Sequence, residues 1–407
     1  MSCDFNPKTG VLATAGADCE VKLWRVSAGD GTSSAEVAVE HLETLTGHAK
    51  SVNCARWNGR GDALATAGDA GDVYLWSRVG EESTATNSHG DAVSWKPCRT
   101  LRGHRDDVLS LCWGPREQLA TTSVDNTTIV WDTQSGQGLV QLSDHSHYVQ
   151  GVAFDPRGEF LVSQSPDRTM KVYSVRGKAS SKSVSQISSL KSLEHQSLFH
   201  DDGMTSFFRR PSFSPDGSVV AVPAGLFKRD GATQPLNATF VFSRGDFSTP
   251  ALTLPGGESP SVCVRFSPVI YQRKAGSNPT TSSDLPYRMV YAVCSQDAVA
   301  VYDTDSLEPL LYVGAIHFAC ITDCSWSPDG NILFVTSTDG FATVIAFDGD
   351  ELGSAVPKAD LPIKLPIEDD DASVVTLVKP EQTAPAKTTT IEPATRIAPT
   401  RIAPTPM

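Results

Sequence analysis

Long apolar runs are missing from this sequence. No stretch approaches the roughly 18 consecutive apolar residues that a membrane-spanning helix needs. The first residues, Met1 to Pro7, contain neither the basic n-region nor the apolar h-region of a secretory signal peptide. A hydrophobic content of 40% with 20% charged residues is ordinary for a globular protein. We therefore expect a soluble protein that is not secreted.

Catalytic motifs are missing too. The sequence has no G-x-x-x-x-G-K-[ST] phosphate loop, no G-x-S-x-G elbow, no H-E-x-x-H and no C-x-x-C pair. The candidate metal ligands are His145 with His147, and His200 with Asp201 and Asp202, but His145 also occupies the histidine position of a sequence repeat. We predict a non-enzymatic protein with no cofactor and no bound metal.

The cysteines do not suggest a disulfide framework. There are nine, an odd number, and they are scattered. Four of them fall inside apparent strands, where a free cysteine acts as a small buried hydrophobe: Cys54, Cys112, Cys263 and Cys294. This usage indicates a reducing compartment, the cytosol or the nucleus.

Positive charge is in short supply. The formal net charge is -13, and outside residues 351–407 the chain has 39 acidic and 28 basic residues. Because binding to phosphates demands clustered Lys and Arg, this balance argues against a nucleic-acid binder, including direct sequence-specific binding. Basic proteins are better partners for such a surface, although an acidic surface can also serve solubility alone.

What the sequence does contain is an internal repeat. Gly47 to Trp76 and Gly103 to Asp132 both read Gly-His, a short apolar strand, a turn, Leu-Ala-Thr, an Asp-containing turn and a strand ending in Trp. Five further copies begin or centre on Leu12, His145, Phe213, Val262 and Ile321. Seven copies predict an all-β fold, a seven-bladed WD-repeat β-propeller.

The third copy predicts a buried hydrogen-bond chain. Asp125 lies four residues after Thr121 and six before Trp131, the spacing at which such repeats connect His, Thr or Ser, Asp and Trp, here with His104. The fourth copy keeps His145, Ser163 and Asp167 but has Tyr173 in place of Trp. The second has Ala70 at the Asp position, so we expect its network to be incomplete.

Two kinds of polar segment interrupt or follow the repeats. Residues 81–96, 176–191 and 272–284 read as surface loops between blades. Residues 351–407 contain 9 of the 26 prolines and no aromatic residue, and such a segment cannot bury enough apolar area to offset its ordering entropy. We therefore predict a propeller over residues 1–350 and a Pro-rich disordered tail over 351–407.

One segment is too particular for a generic propeller. It runs from Leu198 to Gly217 and includes His200-Asp201-Asp202-Gly203 and Ser206-Phe207-Phe208-Arg209-Arg210. It resembles the WD-repeat (middle) subunit of chromatin assembly factor 1, and looks closest to the plant FASCIATA form. Further similar stretches follow the same order: Ser123 to Asn126, His147 to Val152, Asn237 to Arg244, Leu285 to Arg288 and Ser337 to Gly340.

The resemblance implies a function that the periodicity does not show. It implies a nuclear, non-catalytic subunit of a three-subunit histone chaperone that deposits histones H3 and H4 on newly replicated DNA. The implied partners are the large and small subunits of that complex and, directly or indirectly, the histones. The acidic body is compatible with this, because a chaperone shields basic histones from DNA.

Four consecutive residues of the family-like segment are candidates for partner binding: Phe207, Phe208, Arg209 and Arg210. Aromatic and Arg side chains are favoured as interface anchors. The same side chains could equally hold an inter-blade loop against the propeller, and the sequence favours neither interpretation.

The tail carries a tandem Arg-Ile-x-Pro, at Thr395 to Thr400 and Arg401 to Thr405. It is similar to the short motif by which this family binds the anti-silencing-function histone chaperone, where a peptide adds its backbone to a sheet edge. The alternative is a Pro-rich linker with accidental repetition. The candidate contact residues are Arg396, Ile397, Pro399, Arg401, Ile402 and Pro404.

A generic WD-repeat scaffold, such as a substrate adaptor of a ubiquitin ligase, is the runner-up function. The repeat arithmetic makes one further prediction, about ring closure. Met1 lies almost at the inner strand of the first blade, so we expect the last blade to have three strands and an open edge after residues 343–347. Residues 355–367 could supply a fourth strand, but Pro357, Pro362 and Pro366 disfavour it.

Overall fold

A computed structural model gives the structure of the chain. It describes residues 1–28, 37–78, 94–175, 184–193, 196–228, 231, 233–274, 285–349, 351–357 and 360–361. Internal contacts divide the chain into Met1–Glu368 and Asp369–Met407, and the second unit lies outside the described residues. None of the helices among the described residues is long and apolar enough to cross a membrane.

Seven antiparallel sheets carry the fold, and each is a consecutive run of the chain. The first four sheets have four strands each, in order from the inner strand outward: β1 (Ser2–Phe5), β2 (Val11–Ala15), β3 (Val21–Ala28), β4 (Val37–Leu45); β5 (Val52–Trp57), β6 (Ala63–Gly68), β7 (Val73–Arg78), β8 (Trp95–Leu101); β9 (Val108–Gly114), β10 (Gln118–Ser123), β11 (Thr128–Asp132), β12 (Gln137–Leu142); β13 (Gly151–Phe154), β14 (Phe160–Ser165), β15 (Thr169–Val175), β16 (Val184–Leu190).

A two-stranded hairpin separates the fourth sheet from the fifth. The remaining elements are the hairpin strands β17 (Ser192–Leu193), β18 (Gln196–Ser197); the fifth sheet β19 (Ser212–Phe213), β20 (Val219–Phe227), β21 (Leu236–Ser243), β22 (Leu252–Pro255); the sixth sheet β23 (Ser261–Tyr271), β24 (Arg288–Ser295), β25 (Ala298–Asp303), β26 (Leu311–Gly314); and the seventh sheet β27 (Ile321–Trp326), β28 (Ile332–Ser337), β29 (Ala342–Ala346). These seven blades confirm the predicted all-β propeller.

Position in the blade decides how much of each strand is buried. The second strands β10 and β28 are buried at every residue, because each sheet packs between two neighbouring sheets. The outer strand β8 is buried only at its ends, at Trp95 and Leu101, and is solvated between them. A blade therefore needs continuous apolar sequence only near the axis.

Glycine turns join the inner strand to the second strand in several blades. In the fifth blade Gly217 donates to the carbonyl of Ser214 at 2.9 Å, and in the seventh Gly330 donates to Ser327 at 2.9 Å. Both glycines have positive φ, 70° and 74°, which costs a side-chain-bearing residue energy. The repeated Ser-Pro-Asp-Gly sequence is thus a hairpin signal.

The ring closes by contact between the first and last blades. The Ser2 hydroxyl donates to Asp323 Oδ2 at 2.9 Å, and the Phe5 N–H donates to Ser325 Oγ at 3.0 Å. The rings of Phe5 and Phe334 meet edge to face with centroids 6.4 Å apart. Side-chain contacts between β1 and β27, and no shared sheet, join the two ends among the described residues.

The last blade has three strands within the part of the chain that the structure describes, which confirms the closure prediction. Its third strand, β29, is exposed or half-exposed along its whole length. Residues 354–356 do not cover it. They pair with the sixth blade instead, where the Gln272 N–H donates to Ser354 O at 2.9 Å and the Val356 N–H donates to Ile270 O at 2.8 Å.

The predicted loop at residues 176–191 is wrong in its second half. Val184 to Leu190 form β16, the outer strand of the fourth blade. The Ser-rich sequence hid this strand, because an outer strand needs apolar residues only at its two buried ends, Val184 and Leu190. Likewise Trp95, placed in the loop 81–96, begins β8 and packs against Trp57. The remaining predicted loops at 81–93, 176–183 and 275–284 lie outside the described residues.

Candidate protein-interaction site

The family-like segment is attached to the fifth blade at its start. The His200 N–H donates to Ala224 O at 3.0 Å, and the Leu226 N–H donates to Leu198 O at 2.7 Å. The approach is close because the intervening residue is Gly225, where a Cβ atom would lie 2.7 Å from the carbonyl oxygen of Ala238. Phe199 is fully buried there, so the segment forms part of the core.

Arg209 holds the middle of the segment together. Its guanidinium is fully buried and donates to the carbonyl oxygens of His200 and Asp201. Burial lowers the pKa of Arg209 to about 10, because the charged form loses its hydration. Arg209 therefore serves as an internal staple of the loop.

Arg210 points to the axis of the propeller. Its Nη1 donates to Asp323 Oδ2 at 2.6 Å, its Nη2 donates to the carbonyl of Asn53 at 2.9 Å, and its guanidinium stacks over the ring of Phe208, 4.3 Å from the centroid. Phe208 is itself buried. Three of the four candidate residues thus hold the segment against the propeller.

We call the polar group around Asp323 the central cluster; its members are Ser2, Arg56, Arg210, Arg265 and Asp323. Arg56 and Arg265 approach the Asp323 carboxylate at 2.6 and 3.2 Å. Desolvation opposes ionisation of this fully buried carboxyl, but the three guanidiniums outweigh it and hold its pKa well below the usual range. Since the members come from different blades, the cluster ties the blades to one another.

Phe207 alone of the four faces solvent, with 70% of its surface exposed. Its neighbours are fixed to two other blades: Gln150 Nε2 donates to Ser206 O at 2.7 Å, and Gln296 Nε2 donates to Thr205 Oγ1 at 3.1 Å. The exposed ring therefore stands on a backbone held from both sides. A large apolar side chain presented in this way suits contact with a partner.

Two more phenylalanines are exposed on loops of the seventh blade. Phe318 is 99% exposed and Phe341 is 70% exposed. Asp339 holds both loops, because its carboxylate accepts the Phe318 N–H at 3.0 Å and the Phe341 N–H at 2.9 Å. Sequence reasoning missed this pair, since aromatic residues in loops have no periodicity to mark them.

The third blade contains a continuous hydrogen-bond chain through its four named residues. Trp131 Nε1 donates to Thr121 Oγ1 at 2.8 Å, Thr121 Oγ1 meets His104 Nε2 at 2.8 Å, and His104 Nδ1 meets Asp125 Oδ2 at 3.0 Å. An indole can only donate and a carboxylate can only accept, so the chain has one direction, from Trp131 to Asp125. Every link is satisfied, which identifies a structural network.

Other blades carry variants of this chain. In the fourth, His145 bonds Asp167 at 2.9 Å and Ser163 at 2.8 Å. In the seventh, His317 bonds Asp339 at 3.1 Å and Thr343 at 3.2 Å, a network that sequence reasoning did not name. The signal was present: the His and Asp are 22 residues apart in both blades.

The histidines considered as metal ligands have other partners. His145 is part of the fourth-blade network, and His200 Nε2 meets Asn237 Oδ1 at 2.8 Å. Asp201 pairs with Arg168 across the loop. The tail residues Arg396, Ile397, Pro399, Arg401, Ile402 and Pro404 lie outside the described residues.

The fold and these networks define a WD-repeat β-propeller whose polar side chains join blades. Residues 2–352 match the family model described as the CAF1B/HIR1 beta-propeller domain. The chain therefore belongs to the CAF1B/HIR1 β-propeller family.

Curated relatives extend the match. The "Chromatin assembly factor 1 subunit FAS2 homolog" of Oryza sativa subsp. japonica is 38% identical over 370 residues, covering 87% of this chain and 71% of the relative. A chromatin assembly factor 1 subunit of Gallus gallus is 36% identical over 411 residues, 96% of this chain and 70% of the relative. The protein of the same name from Saccharomyces cerevisiae is 33% identical over 414 residues, 91% of this chain and 87% of the relative.

Proposed function

We propose that this chain is a non-catalytic subunit of a nuclear histone chaperone complex that deposits histones H3 and H4 on newly replicated DNA. The observation that carries the proposal is the family match over residues 2–352, together with relatives from plant, animal and yeast that are named as chromatin assembly factor 1 subunits. The large and small subunits of such a complex are the expected stable partners.

An acidic region of the propeller supports histones as partners, directly or through the other subunits. Asp69, Asp106 and Asp107 lie close enough that the first two add to the burial that raises the pKa of Asp107. The Asp107 carboxyl is only partly buried, so its charge can meet a basic partner. Complementary charge speeds and orients such an encounter.

Phe207 is the residue that we propose for contact with the large subunit. Its exposed ring on an anchored loop can enter a partner's pocket without ordering flexible backbone, which lowers the entropy cost of binding. Phe208, Arg209 and Arg210 support the loop from beneath.

The test compares Phe207→Ala with Phe341→Ala, a substitution of an equally exposed phenylalanine on the seventh blade. We expect Phe207→Ala to weaken the affinity for the large subunit about tenfold or more, and Phe341→Ala to change it by less than about twofold. Thermal unfolding of both variants should match the parent. Equal effects of the two substitutions would assign the contact elsewhere.

Co-purification from nuclei tests the wider proposal. A tagged chain should bring down the large chaperone subunit and histones H3 and H4. Recovery of ubiquitin-ligase components in their place would favour the adaptor function instead.

The tail motif is proposed to bind the anti-silencing-function histone chaperone by adding a strand to a sheet edge. A peptide of residues 392–407 should bind weakly, because a short segment offers few anchors and must be immobilised. Replacing Arg396 and Ile397 should reduce binding only in part, since Arg401 and Ile402 repeat the motif. Changing all four to Ala should abolish it in calorimetric titration. A quadruple variant that binds like the parent would leave the tail as a linker.

A further inference from the structure

Three cysteines come together where the sixth and seventh blades meet. Cys263 in β23 lies directly opposite Cys294 in β24, and Cys324 lies in β27. Their three Sγ atoms are all within 4.8 Å of one another, and the Cys263 and Cys324 sulfurs are 3.9 Å apart. All three side chains are fully buried and free.

The sulfur spacing suits a metal ion better than it suits a disulfide. A disulfide needs sulfurs about 2.0 Å apart. Metal–sulfur bonds of about 2.3 Å place the sulfurs of a three-coordinate site about 4.0 Å apart. The Cys263–Cys324 separation of 3.9 Å already has this value, and the third sulfur needs to move by less than an ångström.

The ligand number selects among soft ions. Thiolates favour Cu(I), Zn²⁺ and iron–sulfur clusters, and structural Zn²⁺ is almost always four-coordinate. Among the described residues no fourth His, Cys, Asp or Glu joins this group. The surroundings are apolar, with Val262, Val290 and Ile321 in the same core cluster, so the structure offers no polar space for a water ligand.

Nearby positive charge can compensate for thiolates. Three thiolates and one monovalent ion carry a net charge of -2 by simple addition, which is costly in an apolar interior. The central cluster is adjacent, because the Cys324 N–H donates to Asp323 Oδ1 at 3.1 Å and Arg210 bridges to Cys263 through the backbone. That cluster contains three guanidiniums against the single Asp323 carboxylate.

We propose that Cys263, Cys294 and Cys324 form a three-coordinate site for monovalent copper. The ion reaches the buried site when the seventh blade opens, since β29 is the exposed edge of that blade and sheet edges open at lower free-energy cost than cores. Each ligating thiol releases one proton to solvent.

The test uses the full chain, reduced and free of oxygen, titrated with Cu(I) in competition with a chromogenic copper(I) chelator. We expect one copper per chain, and X-ray absorption of the wild-type complex should show three sulfur ligands. Cys263→Ala, Cys294→Ala and Cys324→Ala should each weaken binding by at least about 100-fold. Cys54→Ala, a matched control at another fully buried cysteine, should bind like the wild type.

Several results would overturn the proposal. These are no uptake by the wild type, uptake that survives Cys263→Ala, a sulfur count other than three, or equal uptake of Zn²⁺ under the same conditions. The sulfur count is measured on unmodified protein, so the proposal stays testable even if the alanine variants fail to fold.

Discussion

The second and third blades share one repeat pattern but differ at one acidic position. Each contains the link from tryptophan to threonine at 2.8 Å, and the link from threonine to histidine is 2.7 Å in the second blade and 2.8 Å in the third. In the third blade the chain ends on Asp125, whereas the second has Ala70 at that position. The comparison isolates what the carboxylate adds to a buried histidine.

The missing carboxylate changes the chemistry of the histidine. Burial lowers the pKa of His48 to about 4, and the distant Asp72 offsets this only in part. In the third blade the carboxyl of Asp125 has its pKa well below the usual range, because His104, Thr127 and the Arg105 N–H all bond it. One residue therefore decides whether the network holds a charge or only tolerates a neutral ring.

The largest expected effect is the loss of the third-blade carboxylate. Asp125→Ala removes the acceptor of four hydrogen bonds, from His104, Arg105 N–H, and the Thr127 N–H and hydroxyl. We expect the free energy of unfolding to fall by about 3 kcal/mol in urea titration. A loss below about 1 kcal/mol would mean that the network is not structural.

The pH dependence should separate the two blades. A neutral histidine with a lowered folded pKa stabilises the protein above its unfolded pKa of about 6.5, and that stability is lost as the pH falls towards about 4. A carboxylate with a lowered pKa keeps its contribution down to its unfolded pKa, about 3.9 for Asp125, and loses it below that.

Subtracting His48→Gln from the wild type isolates the His48 contribution. At about pH 5.5 it should amount to a loss of about 1 kcal/mol relative to neutral pH. His104→Gln serves as the matched variant in the third blade and should not remove this component. Identical pH profiles of the wild type and His48→Gln would contradict the assignment.

Restoring the acid should make the blades more alike. Ala70→Asp places a carboxylate at the position that Asp125 occupies in the third blade, so it should raise the pKa of His48 and stabilise the protein by about 1 kcal/mol. Nuclear magnetic resonance titration of the His48 ring provides the measurement. A His48 pKa that stays near 4 would show that the turn cannot direct the new side chain to the ring.

The smallest effect is expected where the blades already agree. Trp76→Phe and Trp131→Phe each remove an indole donor from a threonine, at the same 2.8 Å distance. The two unfolding free energies should fall by similar amounts, about 1 kcal/mol each beyond the change in packing. A clear difference would place part of the blade contrast outside the carboxylate.

Local spacing made the blades predictable. The hydrogen-bonding residues of the third blade recur within one repeat, and each apolar strand and Asp-containing turn is read from adjacent residues. The three-stranded last blade followed from the same arithmetic, because Met1 begins beside the first inner strand. Such features depend on short-range order, which a single sequence records.

The central cluster and the thiol group depend on long-range contacts. Arg210 and Asp323 are 113 residues apart and meet only because the ring closes. The sequence left Phe208, Arg209 and Arg210 open between two roles for the same reason, since burial is decided by other blades. Residues 351–357 were assigned to the tail on composition, yet Arg288 bonds the carbonyl of Leu352 and holds that segment on the sixth blade.

The most direct test of the account is reconstitution of the chain with the large chaperone subunit, with and without residues 362–407. The cut falls after Leu361 because residues 354–356 pair with the sixth blade. If the propeller is the binding unit, both forms should co-elute with the large subunit at equal stoichiometry and with affinities within about twofold. Failure of the full chain to bind, or loss of binding on removal of residues 362–407, would contradict the account.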